Sequence, residues 1–252
     1  MKISLLIVKL PDVIQKFFPS INYMNYQNEN KIFFSKDCGL SSFFHDDEIR
    51  IINQFTTFKR QIEWICGRLV VKHQAELYTG RKYKSRGITI SIKESGAPFL
   101  SAFPCWGISI SHSNEYALGA ICYKNNKRIG VDIEKIAERR SDEFINLAFT
   151  GREIEELKNK PPADVYRNWT IKESFLKLIE MGFNESLKRV EVINNQIFYY
   201  NLLLKNITVR SETIDDDYIY SLVIHNKNED YTLETGILEP PMLEVKKLIA
   251  VA

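Results

Sequence analysis

The chain has 252 residues, of which 44% are hydrophobic and 26% are charged, and its formal net charge is +2. This composition is that of a globular protein, long enough for one large domain or two small lobes, and it excludes a disordered chain. The small net charge gives no argument for nucleic-acid binding, so any basic site has to be local.

The cysteines and the first residues favour a soluble, cytoplasmic protein. Cys38, Cys66, Cys105 and Cys122 show no C-x-x-C spacing, which is typical of reduced thiols. The apolar run at residues 3–8 is too short for a signal peptide or a membrane span, and it predicts a first β-strand. Residues 12–40 have no sustained period and predict irregular structure.

Residues 49–77 predict one broken helix or two consecutive helices, because apolar residues recur near helical spacing after an N-cap at Asp46 or Asp47. Arg60 and Arg68 lie eight residues apart, roughly on one side of this segment. Such charges are typical of the solvated face of an amphipathic helix.

The densest basic run is at residues 81–86, which read Arg-Lys-Tyr-Lys-Ser-Arg. Contact with a nucleic acid is one interpretation of this run, and a solvated loop is the favoured one. Residues 88–92 alternate as a strand. Residues 94–98 then form a turn that ends at Pro98.

Residues 107–113 and 116–123 predict a β-hairpin with Ser111 and His112 near its tip. Because neighbouring side chains on a strand point to opposite faces, these two are poorly placed to act as nucleophile and base, and no G-x-S-x-G motif surrounds them. We therefore exclude a hydrolase triad. His112 is either a hydrogen-bonded structural residue or a cationic donor to a phosphate.

Residues 128–135 alternate as a half-buried strand whose polar face carries Asp132 and Glu134. Side chains at i and i+2 point the same way, about 7 Å apart, so these carboxylates can converge on one ion. Without a cation they repel each other. A divalent metal would relieve this repulsion, and so would a basic partner such as Arg128 or Lys135.

Three helices are predicted between residues 141 and 182. A short one covers residues 141–147, and a capping box from Thr150 to Glu153 opens the second, which explains Glu153 as a structural residue. The third runs from about Val165 to Gly182. After it, alternating segments predict an antiparallel sheet.

The third helix holds a carboxylate and an amine side by side, because Glu173 and Lys177 are four residues apart. A surface ion pair is the simple interpretation. Together with Asp132 and Glu134, however, Glu173 completes a set of three oxygen ligands without His or Cys, which suits a hard ion such as Mg²⁺. Trp169 is expected to pack in the core.

Two motifs resemble the paired signature of the 4′-phosphopantetheinyl transferases, specifically the long, single-chain, Sfp-type branch. Residues 130–134 read Gly-Val-Asp-Ile-Glu, and residues 169–177 read Trp-Thr-Ile-Lys-Glu-Ser-Phe-Leu-Lys. Residues 108–113 also resemble the family's Ser-His segment, and residues 96–100 resemble its Gly-basic-Pro turn. At Ala97 the chain departs from the family, which usually has Lys or Arg there.

The resemblance implies an α+β fold with two similar lobes, arranged as a pseudo-dimer of antiparallel sheets with packed helices and a coenzyme A cleft between them. The expected lobes are residues 1–125 and residues 126–252, and the second carries the metal site. The expected coenzyme A contacts are Arg60, Arg68, Pro98, Ser111, His112, Lys172 and Lys177. The expected Mg²⁺ ligands are Asp132, Glu134 and Glu173.

The implied activity is transfer of the 4′-phosphopantetheine arm of coenzyme A to a serine of an acyl or peptidyl carrier protein. Such carriers serve polyketide, nonribosomal-peptide, siderophore or fatty-acid synthases. Glu173 would take the serine proton, directly or through a metal-bound water, and Lys177 would stabilise or protonate the departing 3′,5′-ADP. We expect a monomer that binds neither nucleic acid nor membranes. A catalytically idle relative that binds coenzyme A or a carrier protein is the alternative.

Overall fold

The first half of the chain folds in the order strand, three helices and two hairpins. A computed structural model describes residues 1–124, 126–138, 141–226, 230–240 and 244–248, with the backbone alone for residues 183 and 244–248. The first elements are β1 (Lys2–Lys9), α1 (Leu10–Phe17), α2 (Asp46–Gln54), α3 (Phe58–Tyr78), β2 (Ile90–Ile92), β3 (Pro98–Leu100), β4 (Gly107–Ser113) and β5 (Tyr116–Cys122).

The second half repeats that order and adds strands at its end. Its elements are β6 (Ile129–Lys135), α4 (Asp142–Ala148), α5 (Gly151–Leu157), α6 (Pro162–Leu178), β7 (Val190–Ile193), β8 (Gln196–Tyr199), β9 (Leu202–Leu203), β10 (Ile207–Ile214), β11 (Tyr218–His225), β12 (Thr232–Glu239) and β13 (Glu244–Leu248). Within the described part of the chain no helix is long and apolar enough to cross a membrane.

The pairing of the strands repeats as well. β5 pairs antiparallel with β1 and with β4, and β11 pairs antiparallel with β6 and with β10. In each half the longest helix, α3 or α6, packs against these strands. The prediction of two similar α+β lobes is therefore confirmed.

The last strands depart from the expected antiparallel pattern. β12 pairs parallel with β1, and β13 pairs with β12. Strands from the predicted second lobe, residues 126–252, thus extend the sheet of the first lobe. They cover an edge of β1 that would otherwise expose unpaired backbone groups. Residue 125, the last residue of the predicted first lobe, lies outside the described residues.

Most local predictions in the site region are confirmed, with adjusted helix ends. The segment 49–77 forms two helices, because Thr57 caps α3 by accepting a hydrogen bond from the backbone N–H of Arg60. α6 begins at Pro162 and ends at Leu178, four residues before the predicted Gly182. Glu180 adopts a left-handed φ of 61°, and the backbone N–H of Met181 closes the helix on the carbonyl of Leu176.

A buried lysine locks each long helix onto the capping box of the preceding helix. In the second lobe, Lys172 Nζ donates to Glu153 Oε2 and to the carbonyl oxygen of Ala148, each at 2.7 Å. Glu153 is the acidic residue of the capping box opened by Thr150, so its structural role is confirmed. Lys172 Nζ also lies 5.0 Å from the centre of the Phe149 ring.

The first lobe repeats this arrangement. Lys72 Nζ donates to Glu48 and to the carbonyl oxygen of Phe43, and it lies 5.0 Å from the centre of the Phe44 ring. Glu48 belongs to a capping box opened by His45. The same four-part contact in both lobes supports the internal repeat independently of the strand order.

The prediction that Lys172 contacts coenzyme A is wrong. Its side chain has no exposed surface, and its ammonium group is committed to Glu153. Successive residues of an α-helix are rotated by about 100° about its axis. Lys172 therefore faces different surroundings from its neighbour Glu173.

We expect Lys172→Met to reduce the free energy of unfolding by about 3–5 kcal/mol, because it leaves the carboxylate of Glu153 buried and unpaired. Urea denaturation measures this change. The control is Lys158→Met, which removes an exposed lysine and should stay within about 0.5 kcal/mol of the wild type. Equal stability of the two variants would contradict a structural role for Lys172.

Candidate functional site

The site lies where the two lobes meet, along the neighbouring edge strands β4 and β6. Serine side chains from alternate positions of β4 bridge this seam. Ser109 Oγ accepts a hydrogen bond from the backbone N–H of Val131 at 3.0 Å. Ser111 Oγ donates to Asp132 Oδ1 at 2.7 Å, and Ser113 Oγ donates to Glu134 Oε2 at 3.1 Å. Each bridge joins a serine of the first lobe to a residue of the second lobe and so fixes the position of that residue.

Asp132 lies at the centre of this seam and is 6% exposed. Besides the bond from Ser111, its Oδ1 accepts one from Lys177 Nζ at 2.8 Å. Lys177 also donates to the carbonyl oxygen of Val131 at 3.0 Å. The second carboxylate oxygen, Oδ2, is buried and has no hydrogen-bond partner among the described residues.

Glu173 lies one helical turn before Lys177 and is 7% exposed. Its Oε1 is also buried without a hydrogen-bond partner in the described part of the chain. Burial and, to a smaller extent, the charges of Asp132 and Glu134 raise the pKa of Glu173 to about 7, while Lys177 opposes the change. A carboxyl group with such a pKa exchanges its proton near neutral pH.

Glu134 is held differently from the other two acids. It accepts hydrogen bonds from Ser113 and, at 3.4 Å, from the indole Nε1 of Trp169. The Trp169 ring packs against Phe144 with ring centres 4.8 Å apart, which agrees with the expected core role. Among the described residues, no group of three or more His, Cys, Asp or Glu side chains is gathered as metal ligands.

A cavity of about 440 Å³ opens beside these acids. Its lining includes Arg60, Arg68, Pro98, Ser111, His112, Asp132, Glu134, Glu173 and Lys177. The fold thus brings every predicted site residue except Lys172 to one cavity.

The cationic residues of this cavity are partly constrained by neighbours. The Arg68 guanidinium lies 3.6 Å from the centre of the Trp64 ring, and burial lowers the pKa of Arg68 to about 10. Arg60 forms an ion pair with Glu63. Burial lowers the pKa of His112, whereas the nearby Glu63 carboxylate opposes that change.

A second cavity of about 650 Å³ lies on the other side of Lys177. The two cavities share Pro98, Ile110 and Lys177. Lys93 and Arg128 also line the second one, as does Ala97, the position where the sequence departs from the basic residue of the resembled family. Lys177 is therefore accessible from two sides.

Residues 128–229, which carry all three acids and Lys177, match the family model of the 4′-phosphopantetheinyl transferase superfamily. The matched segment, 102 of the 252 residues, is similar to that superfamily. The resemblance inferred from the sequence motifs is thereby confirmed at the level of the superfamily.

Curated relatives agree with this assignment. A 4′-phosphopantetheinyl transferase of Bacillus subtilis is 32% identical over 110 residues, which cover 42% of this chain and 47% of that protein. An L-aminoadipate-semialdehyde dehydrogenase-phosphopantetheinyl transferase of Xenopus laevis is 33% identical over 112 residues, covering 38% and 36%. The human protein of the same description is 30% identical over 118 residues, covering 42% and 36%. The chain thus spans less than half the length of these phosphopantetheinyl transferases.

Sequence reasoning missed several residues of this site. Ser109 and Ser113 bridge the seam, and their alternation with Ser111 was visible in the sequence as a polar strand face. Glu63, which pairs with Arg60 inside the cavity, was overlooked because a glutamate three residues after an arginine is common on exposed helices. Trp64, the residue after Glu63, was also missed, and its ring packs against the guanidinium group of Arg68.

We expect Glu173→Gln to become more stable relative to the wild type as the pH rises. The pKa of Glu173 is raised in the folded state, so the folded protein favours the protonated carboxyl, and this stabilisation is lost between about pH 4.5 and pH 7. Gln cannot ionise and avoids the loss. Denaturation of the metal-free proteins at pH 5 and pH 8 measures the difference, which should grow by on the order of 2 kcal/mol. A difference independent of pH would contradict the raised pKa.

Proposed function

We propose that this protein transfers the 4′-phosphopantetheine arm of coenzyme A to a serine hydroxyl of an apo acyl or peptidyl carrier protein. The observation that carries the proposal is the cluster of Asp132, Glu173 and Lys177 in the superfamily-matched segment, beside a cavity with two arginines. The reaction releases 3′,5′-ADP. We further propose that the protein acts as a monomer in the cytoplasm.

In this reaction the serine Oγ attacks the phosphorus next to the pantetheine arm, and the bond from that phosphorus to the oxygen of 3′,5′-ADP breaks. Phosphoryl transfer needs positioning and charge neutralisation, and no protein nucleophile is required. Glu173 accepts the serine proton. In the metal-free site its pKa is about 7, so at neutral pH the carboxylate form is available and can hold a proton.

Lys177 binds the leaving group in this proposal. Its ammonium group lies between two cavities and is only partly buried, with 28% of the side chain exposed. It can therefore reach a phosphate oxygen while it remains anchored to Asp132. Arg60, Arg68, Ser111 and His112 hold the rest of coenzyme A in the smaller cavity, with Pro98 shaping its wall.

The donor set also fits a bound Mg²⁺. Asp132 Oδ2 and Glu173 Oε1 are buried oxygens without a hydrogen-bond partner among the described residues, and such hard oxygen donors suit this ion. We propose Asp132 and Glu173 as ligands, with Glu134 as the third. When bound, the ion would neutralise the charge of the diphosphate.

The basic run at residues 81–86 does not favour a nucleic-acid function. Lys84 pairs with Glu76, and Arg86 pairs with Asp46, so part of its charge is balanced within the protein. It also lies outside both cavities that contain Lys177.

Intact-mass spectrometry tests the proposed reaction. An apo carrier protein incubated with this protein, coenzyme A and Mg²⁺ should gain the mass of one phosphopantetheine arm, and EDTA should abolish the gain. Several carriers are used, because their pathway is not specified by the site. Coenzyme A binding without any mass gain would favour the idle relative instead.

We expect Lys177→Ala and Asp132→Ala each to lower turnover by about 10²–10³-fold, because each removes a charge that acts on the reacting groups. The control is Lys84→Ala, which removes an exposed lysine outside the cavities. Thermal unfolding verifies that the variants are folded. Wild-type rates in both site variants would refute the assignment of this cluster.

A further inference from the structure

An ion pair joins the two lobes at the second cavity. Lys93 Nζ of the first lobe donates a hydrogen bond at 2.6 Å to Glu180 Oε1, just beyond the end of α6 in the second lobe. Both residues line the cavity of about 650 Å³ that also contains Lys177. The cavity is present with the ion pair formed, so the pair borders this space and does not fill it.

Lys93 belongs to the tip of the hairpin formed by β2 and β3, which we define as residues 93–97. The base of the hairpin is held in the core by Ile90 and Leu100, which are 7% and 0% exposed. Residues 92–96, by contrast, are exposed. A two-stranded hairpin is only marginally stable in water on its own. The contact with Glu180 therefore holds the end of the hairpin that the core does not hold.

The hairpin tip is built so that Lys93 can cross to the other lobe. The backbone N–H of Lys93 donates to the carbonyl oxygen of Ala97 at 2.9 Å, which continues the pairing of Ile92 with Pro98. Residues directly opposite each other on antiparallel strands have their side chains on the same face. The small side chain of Ala97 leaves this face to Lys93, whereas a second cation there would repel it.

Glu180 reaches Lys93 from a strained backbone position. Its φ of 61° lies in the left-handed region, which is unfavourable for a residue with a Cβ and is usually occupied by glycine after a helix. A glycine would end α6 without this strain, but it could not pair with Lys93. The glutamate thus adds local strain and provides a contact between the lobes.

We propose that Lys93 and Glu180 form a latch that positions the hairpin tip against α6 and thereby sets the affinity for coenzyme A. This inference rests on the proposed function and adds two positioning residues to it. Pro98 directly follows the tip and, like Lys177, lines both cavities. Fixing the tip before the donor binds removes an ordering cost from binding. The latch therefore acts on donor affinity and leaves the reacting groups unchanged.

Hydrogen exchange of the ligand-free protein tests the latch itself. Lys93→Gln removes the charge and should speed exchange at the hairpin tip several-fold, including that of the hydrogen-bonded backbone N–H of Gly96. Lys9→Gln is the matched control, because Lys9 also pairs across the lobes, with Asp215 at 3.3 Å, and lies outside both cavities. It should leave the tip unchanged. Equal exchange rates in Lys93→Gln and the wild type would overturn the latch.

Calorimetric titration with coenzyme A measures the effect on binding. Lys93→Gln should raise the dissociation constant about three- to fivefold, as expected for a partly exposed ion pair. KM for coenzyme A should rise similarly, while kcat stays unchanged. The double variant Lys93→Glu/Glu180→Lys restores the pair with reversed charges and should restore the affinity. A double variant that binds no better than Lys93→Gln would show that Lys93 contacts coenzyme A directly, and it would overturn the latch.

Glu180→Gly distinguishes the latch from a general contribution to stability. Glycine adopts the left-handed conformation without strain, so the melting temperature should not fall. The affinity for coenzyme A should nevertheless fall as in Lys93→Gln. Parallel losses of stability and affinity would assign the pair a purely structural role and overturn the proposal.

These measurements also separate the latch from the proposed transferase function. Faster exchange at the tip and weaker coenzyme A binding in Lys93→Gln, without a mass gain on any carrier protein, would keep the latch and remove the transferase function. A mass gain together with equal coenzyme A affinity in the wild type and Lys93→Gln would keep the transferase function and overturn the latch.

Discussion

Two carboxylates buried side by side with a single lysine are the constraint on which this site depends. Asp132 and Glu173 each keep an oxygen without a hydrogen-bond partner among the described residues, and Lys177 offsets only part of their repulsion. The protein holds this unfavourable arrangement because the strand and the helix that carry it are fixed from both sides. Gly130 allows this approach, since a Cβ there would lie 1.8 Å from the carbonyl oxygen of Ser174. Any side chain at this position would separate β6 from α6.

The internal repeat explains why the chain has one such cluster. Lys72 corresponds to Lys172, so His73 and Leu77 occupy the positions of Glu173 and Lys177. Along the strands, Gln74 bonds the carbonyl of Gly119 as Ser174 bonds that of Ser221. Gly119 pairs with Leu6, whereas Ser221 pairs with Asp132. The first lobe thus has Leu6 and Leu77 where the second has Asp132 and Lys177, and His73 where the second has Glu173. It contributes cations and serines to the site instead.

The sequence predicted the parts of the site that depend on local pattern. The alternation in residues 128–135 and the spacing of Glu173 and Lys177 placed three acids and a lysine on the correct elements. The capping box accounted for Glu153. Local pattern did not show that α6 is covered on several sides, which is why Lys172 was misassigned. Nor could it show that β12 pairs parallel with β1 or that β4 lies beside β6, because these contacts join distant segments.

The serine seam links the position of the lobes to the geometry of the reacting groups. Asp132 receives one hydrogen bond from Ser111 of the first lobe and another from Lys177 of its own lobe. Moving the lobes apart would remove the first bond and carry Ser111 and His112 away from Asp132, Glu173 and Lys177. The distance between β4 and β6 therefore sets how closely the serines and His112 of the first lobe face the acids of the second, and a ligand that occupies the cavity between them acts on the same distance.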